Sequence, residues 1–317
     1  MAIRSRLPRS GFLAALPAIY AATTLPVRAQ GLAPLRVGAT ANDTYAEAYY
    51  AQDMGFFTKA GLAVEITTFT NGAAVSSAIA AGALDVGISN PIQLGNAVSR
   101  GIPFVYIAGG GLYSTAAPTT VLCVAKNSPI RDPKDFVNQT IAVSALKDVT
   151  DLGRAAYLEK NGVDPAAVKT IELPFAEMGP ALARGAVAGA VISEPSLTAG
   201  VSGDQTRIFA KCFDAIAPRF LISGWFTTKD WYAQNTALAK RYVAAIYATA
   251  AWANANHDQS GQILAKYSKI NAETARTMTR STYAVTLNPQ FIDPMLQLAM
   301  KAKITDRLVT ATEMIAH

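Results

Sequence analysis

Hydrophobic and polar positions along this chain follow two periods in turn. "LRVGAT" (35–40), "LAVEITTFT" (62–70), "DVGIS" (85–89) and "PFVYIAG" (103–109) are short apolar or alternating runs, which predict strands. Between them the period lengthens. "NDTYAEAYYAQDMGFFTKAG" opens on Asn42 and Asp43 as capping residues, carries Lys59 in its last turn and ends at Gly61, which predicts a helix. Val75, Ala78, Ile79 and Gly82 fall at i, i+3, i+4 and i+7, one helix face. Pro91, after Asn90, suits the first position of another helix. The alternation restarts at Thr119. "TTVLCVA" (119–125), "TIAVSA" (140–145), "VKTIELP" (168–174), "GAVIS" (189–193) and "TRIFAKC" (206–212) predict strands, separated by the helical stretches "DLGRAAYLEKNG" and "EMGPALARG". After "FLISGWFTT" (220–228) the pattern is helical. Leu238, Tyr242, Ala245, Ile246 and Thr249 share one face, and further helices are expected over 258–267, 271–283, 291–301 and 304–315.

Strand–helix alternation predicts the α/β class, with mostly parallel sheets covered on both faces. A purely helical tail needs something to bury against, and the economical arrangement returns it to the first lobe. The expected organisation is a two-lobe clamp. Lobe 1 is formed by 30–118 plus 223–317 and lobe 2 by 119–222, with crossings near 119 and 222 acting as a hinge. A single fused α/β domain is the alternative. The length of 317 residues suits two domains.

Composition changes the picture in one place. The formal charge of +6 invites a nucleic-acid partner. However, "MAIRSRLPRSGFLAALPAIYAATTLPVRAQ" has Arg4, Arg6 and Arg9 ahead of an apolar stretch from Gly11 to Leu25, and Val27-Arg28-Ala29 has small residues where a signal peptidase reads. A signal peptide over 1–29, cleaved after Ala29, is expected, with a retained N-terminal anchor as the alternative. "PRSGFL" resembles a twin-arginine signal with serine replacing one arginine, which favours ordinary secretion. Without the leader's four arginines the chain has 24 basic and 22 acidic residues. The basic excess therefore belongs to targeting, and no nucleic-acid partner is expected. With 51% hydrophobic and 16% charged residues the chain is globular rather than disordered. No later apolar run reaches the roughly 18 residues of a membrane span.

Cys123 and Cys212 are the two cysteines. Export permits a disulfide, and two buried thiols are the other reading. With only His257 and His317 to assist, no metal site is expected.

Several segments together resemble the solute-binding proteins of ABC importers, of the nitrate/sulfonate/taurine type. They are "LRVGA…AYYAQDMGFFTKAGLAVEI", "NGAAVSSAIAAGALDVGIS", "SPIRDPKDFVNQTIAV", "LEKNGVDPAAVKTIELP" and "GAVAGAVISEP". Their order and spacing carry the resemblance, which covers nearly the whole chain after the leader. It implies a periplasmic two-lobe clamp, a monomer, that captures a small solute and delivers it to an inner-membrane permease. No arginine stands at the expected pocket positions, which weakens a strongly charged inorganic anion as ligand.

In open α/β sheets ligands sit beyond the carboxyl ends of strands, where helix N-termini present free N–H groups. That rule nominates Thr40, Asn42 and Asp43 after the first strand; Asn71, Gly72 and Ala73, with Ser76 assisting; and Ser89 and Asn90 after the third. In the second lobe it nominates Ser144, Lys147, Asp148 and Thr150, then Glu194. Asn42, Asp43 and Asn90 are equally candidates for plain helix caps. Glu194-Pro195 is a common feature of the family, with a structural role as the alternative. Lys147, the only base here, is either a ligand contact or a solvated lysine. Tyr45, Phe69, Tyr113, Phe175 and Trp225 lie near strand ends and are expected either to wall an organic ligand or to belong to the core. The aromatics and the acids at 43 and 194 favour an organic anion or zwitterion: a sulfonate, a taurine-like molecule or an aromatic carboxylate. Nitrate, bicarbonate or a thiamine-precursor pyrimidine is the alternative. An enzyme of the thiamine-pyrimidine synthase kind needs a reactive histidine and metal-binding cysteines, and a hydrolase needs G-x-S-x-G. Neither pattern is present, so no enzymatic activity and no cofactor are expected. A sensor-coupled binding module is the remaining alternative.

Overall fold

The computed structural model describes residues 1–2 and 31–316. The expected leader, its cleavage after Ala29, and His317 lie outside the described residues. From Leu32 onward the chain forms one compact unit.

Four strands begin the chain: β1 (Ala33–Thr40), β2 (Leu62–Phe69), β3 (Val86–Ser89) and β4 (Phe104–Gly109). Helices α1 (Glu47–Asp53) and α2 (Phe56–Lys59), α3 (Gly72–Ala80) and α4 (Pro91–Ser99) connect them. The predicted first helix is therefore interrupted. A 3-10 turn over Asp43–Tyr45 precedes α1, and Gly55, at φ 72°, separates α1 from α2 because only glycine adopts that conformation without strain. Strand β5 (Gly111–Ser114) then leads to a second set: β6 (Thr120–Ala125), β7 (Thr140–Val143), β8 (Lys169–Glu172), β9 (Gly189–Ser193) and β10 (Thr206–Ala210). Helices α5 (Val149–Lys160), α6 (Phe175–Ala183) and α7 (Ser196–Ser202) flank these. The chain returns through β11 (Arg219–Leu221) and β12 (Gly224–Thr228).

"FLISGWFTT" thus contributes to two strands. The division falls at Ile222-Ser223, where Ser223 Oγ accepts from Gly111 N at 2.8 Å and donates to Thr44 O at 2.5 Å. The first sheet has the order β2-β1-β3-β12-β4 and the second β10-β6-β9-β7-β8. Each has a parallel centre, and β12 in the first and β6 in the second run antiparallel to their neighbours. The result is the two-lobe α/β fold that the strand–helix alternation predicts.

The crossing strands pair with each other. Leu112, Tyr113 and Ser114 of β5 stand opposite Leu221, Phe220 and Arg219 of β11, and β13 (Thr282–Tyr283) adds to the other edge of β5. The first lobe's core gathers Val37, Tyr49, Tyr50, Phe57, Trp225 and Tyr242. The second sheet's core is built on Val143, Leu152, Val191, Phe136 and Phe213.

The tail continues as α8 (Lys229–Gln234), α9 (Thr236–Ala255), α10 (His257–Ser268), α11 (Ala272–Thr277), α12 (Asp293–Lys301) and α13 (Ala311–Met314). Helix α9 buries Tyr242, Ala245, Ile246 and Thr249 against α1, α2 and β4, so the tail covers the first lobe. Helix α12 packs on α4, and its Met295 and Ala299 also join the core that contains Leu152 and Phe213. Two helical expectations shorten. The one over 271–283 stops at Thr277, and 282–283 becomes β13. The one over 304–315 reduces to α13: Ile304, Val309 and Met314 are buried at intervals of five, a spacing that no single α-helix face supplies. Cys123 and Cys212 are free, buried thiols. Burial pushes the Cys123 thiol up to about 12 and that of Cys212 higher still.

Candidate functional site

The ends of strands from both sheets converge on one small cavity of about 20 Å³. From the first sheet come Asn42, Thr44 and Tyr45 after β1, and Asn71 and Gly72 at the start of α3. From the second come Ser144, Asp148 and Thr150 after β7, Thr120 of β6, Ser193 at the end of β9, and Phe175 at the start of α6. Gly72 is needed for its size: a Cβ there would sit 2.7 Å from Ser89 Oγ and 3.1 Å from Ser89 Cα.

Three helix N-termini here carry side-chain caps. The Asn71 side chain accepts from Ala74 N at 3.0 Å, and Asn90 accepts from Gln93 N at 2.9 Å. Asp148 accepts from Thr150 N at 2.7 Å and Asp151 N at 3.1 Å. Each is an N-cap, in which a side-chain oxygen satisfies N–H groups that the helix leaves free.

Asp148 is the electrostatic centre. It is 4% exposed. Its Oδ1 also accepts from Thr150 Oγ1 at 2.6 Å, and its Oδ2 from Ser144 Oγ at 2.5 Å. Burial pushes its carboxyl up to about 6, opposed by the hydrogen bonds from Ser144, Thr150 and the Asp151 backbone. Tyr45 faces it from the other lobe beside Asn90, and burial together with the Asp148 charge holds the phenol far above its ordinary range. Among the described residues, no lysine, arginine or histidine lines this cavity.

The two lobes touch directly around it. Asn71 Nδ2 donates to Ser144 O at 3.1 Å. Asp43 N donates to Glu194 O at 3.2 Å, and Thr279 N to Glu194 Oε1 at 3.2 Å. Lys301 and Glu159 pair at 3.2 Å on the exposed side. Beside the cavity, and sharing Asn42 and Phe175 with it, a groove runs along the seam past Thr40, Phe69, Pro195 and Ile270. Thr40 Oγ1 is buried there without a hydrogen-bond partner.

Of the residues that the sequence nominates, Asn42, Asn71, Gly72, Ser144, Asp148 and Thr150 line the cavity, and Thr40 lines the groove. Ser89 and Ser76 form a supporting layer: both hydroxyls donate to Gly72 O, at 3.1 and 2.9 Å. Asn90 caps α4, and Ala73 is half-buried outside the cavity lining.

Four nominated residues lie outside the cavity lining. Asp43 is a structural ion, fully buried, 3.0 Å from Arg280 and bonded to the Ser281 N–H and the Tyr50 hydroxyl. Lys147 is exposed and lines a separate surface groove; its main chain, at φ 59°, donates to Asp151. Trp225 is core, with its indole N–H on Glu47 Oε2 at 2.8 Å. Burial holds the Glu47 carboxyl well above its usual range, against the pull of that bond. The Glu194 side chain is spent on Thr198 and Thr279 and lies outside the cavity lining. Among the aromatics, Tyr45 and Phe175 line the cavity and Phe69 the groove. Tyr113 is core, its hydroxyl on Asp214 at 2.7 Å.

The sequence reading missed Thr44, Thr120, Ser193 and Phe213. Ser193 ends β9, so the strand-end rule reaches it. Thr120 escapes that rule because β6 runs antiparallel and presents its first residues to the cavity. Phe213 lies in a short 3-10 turn that no periodicity marks.

Residues 42–260 match the family described as NMT1/THI5 like. Among curated proteins none matches the sequence. Among solved structures, the alkanesulfonate-binding protein SsuA from Xanthomonas axonopodis pv. citri, bound to MOPS, superposes with a TM-score of 0.78 at 15% identity, covering 91% of this chain and 99% of that one. The periplasmic aliphatic sulphonate binding protein SsuA from Escherichia coli gives 0.72 at 19% identity, covering 89% and 97%. The periplasmic nitrate-binding protein NrtA from Synechocystis gives 0.67 at 18% identity, covering 77% and 69%. At these identities the likeness is one of fold. Among the described residues, no group of three or more His, Cys, Asp or Glu is placed to hold a metal ion, and no helix is long and apolar enough to cross a membrane.

Proposed function

The chain belongs to the NMT1/THI5-like family, and from that premise we propose that it is the solute-capturing component of an ABC importer. It is exported, loses its leader after Ala29, works in the periplasm as a monomer, and closes on a small organic solute that it hands to an inner-membrane permease. The observation that carries this reading is the Asn71–Ser144 hydrogen bond, which joins the two lobes across a polar cavity built from both sheets. A solute held there touches both lobes, so it binds the closed form better than the open one and shifts the population toward it.

Binding rather than catalysis is supported by the lining. Among the described residues it has no cysteine or histidine, and the Ser144 and Thr150 hydroxyls are held in the cap network around Asp148. The solute class stays within the small organic molecules that the sequence favours.

Small-angle scattering of the purified protein, with and without a solute that raises its melting temperature, tests the reading. The radius of gyration is expected to fall on binding in the wild type and to fall less in Asn71→Ala. A radius that does not change with a bound solute would remove the hinge mechanism.

A further inference from the structure

We propose that the part of the solute buried in the central cavity is a hydrogen-bond-donating nitrogen group of the ammonium or amidinium type, received by Asp148. This rests on the reading of the chain as a solute-binding clamp and adds the charge of what it captures.

The acceptor side is explicit. Asp148 Oδ1 already takes three donors, from Thr150 N, Thr150 Oγ1 and Asp151 N, whereas Oδ2 takes one, from Ser144 Oγ. A carboxylate oxygen accepts two bonds without strain, so Oδ2 has a position left, on a residue that lines the cavity. No cation in the lining balances this acid. Lys147, its sequence neighbour, is exposed, and Lys269 stands on the outer groove. A buried carboxylate without a counter-charge is costly, and a donor or cation lowers that cost. A sulfonate or carboxylate end would instead place a second negative charge beside the first in a poorly solvated space. Helices α3 and α5, which open on the cavity, carry side-chain caps from Asn71 and Asp148, whereas α6 begins at Phe175 without one.

The groove accounts for the remainder of the solute. It meets the cavity at Asn42 and Phe175, and it is lined by Phe69 and Phe175 together with Thr40, whose hydroxyl has no partner. Aromatic faces suit the alkyl or ring portion of an organic amine, and they attract cations as well. A zwitterion fits if its nitrogen end points inward.

Matched probes of opposite charge test this. Acetamidinium chloride, sodium acetate and sodium methanesulfonate are titrated into the purified protein at constant ionic strength and pH 7.5, and the melting temperature is read. Acetamidinium is expected to raise it by about 2 °C or more near saturation, with acetate and methanesulfonate flat. Asp148→Asn keeps a capping side chain and is expected to weaken acetamidinium about tenfold or more, the loss of a charge-assisted bond. A second readout needs no variant: the acetamidinium shift of the wild type should fade as the pH is lowered through about 6, where Asp148 gains its proton. The other titratable groups facing Asp148 are Tyr45 and Asp151. Tyr45 is neutral in this range, and Asp151 is paired with Arg154 at 2.8 Å.

A rise with acetate or methanesulfonate and none with acetamidinium would overturn the inference while leaving the clamp intact. A rise with acetamidinium that is undiminished in Asp148→Asn and at low pH would remove Asp148 as the receiving group. No rise with any of the three would overturn this inference, and the clamp would still be decided by the scattering measurement.

Discussion

Asn71 reaches in two directions at once: its Oδ1 caps its own helix at Ala74 N, 3.0 Å away, while its Nδ2 donates across the cleft to Ser144 O at 3.1 Å. One side chain therefore serves both the stability of α3 and the closure of the lobes, and the two roles separate chemically. Asn71→Asp retains the capping oxygen and removes the donor. Its melting temperature should stay close to the wild type's, while scattering should show a more open average shape. Asn71→Ala removes both, and should lose about 1 kcal/mol of stability in urea titration in addition to opening.

Gly72 is a packing requirement. The Cβ of Gly72→Ala would meet Ser89 Oγ at 2.7 Å and the Ser89 backbone at 3.1 Å, so the start of α3 has to move away from β3. A loss of about 1–3 kcal/mol is expected in chemical denaturation. Solute affinity should fall with it, because the displaced turn carries Asn71.

Asp43 and Arg280 should behave as a structural pair. Their side chains are 0% and 8% exposed, and the carboxylate also holds the Ser281 N–H. Asp43→Asn leaves the guanidinium without its charge partner and should cost about 3–5 kcal/mol in urea denaturation. Because neither residue lines the cavity, folded Asp43→Asn protein should keep its solute selectivity. A change of selectivity would place Asp43 in the site after all.

Stability should also depend on pH through Glu194. Burial, partly offset by the hydrogen bonds from Thr198 and Thr279, pushes its carboxyl up to about 7 from an ordinary value of 4.5. The folded state therefore holds this proton more tightly than the unfolded state. The stabilising contribution is complete below pH 4.5 and is lost as the pH rises through 7. Glu194→Gln, permanently neutral, should remove this part of the pH dependence. Urea titrations at pH 5 and pH 7.5 should show the wild type falling relative to the variant over that interval. Parallel curves would mean that Glu194 titrates normally.

The two cysteines give a simple check on the core. With both thiols buried and raised, neither Cys123 nor Cys212 should react with a thiol reagent in the native protein, and reductant should leave the melting temperature unchanged.

The fold was readable in the sequence wherever one local rule decided the outcome. Val75 and Ile79 mark α3, Pro91 starts α4, and the short apolar runs became strands. The site was half readable. Strand-end reasoning located Asn71, Ser144 and Thr150, because a strand followed by a helix places its connecting residues at one edge of the sheet. It failed at Asp43 and Trp225, whose partners Arg280 and Glu47 lie 237 and 178 residues away, beyond any local pattern. It also failed at Thr120, where strand direction matters and a short apolar run does not encode it.

The position of β12 fixes an order of assembly. It lies between β3 and β4 at the interior of the first sheet, although more than 100 residues separate it from β4 in the chain. A chain emerging from its N-terminus presents β1 to β4 first, yet β3 and β4 have no partner to join them until residues 224–228 arrive. By then every strand of the second sheet has already emerged. The lobe that begins the protein is thus the one that must finish last. A chain threaded through an export channel would carry an unfinished first sheet until most of its length had passed.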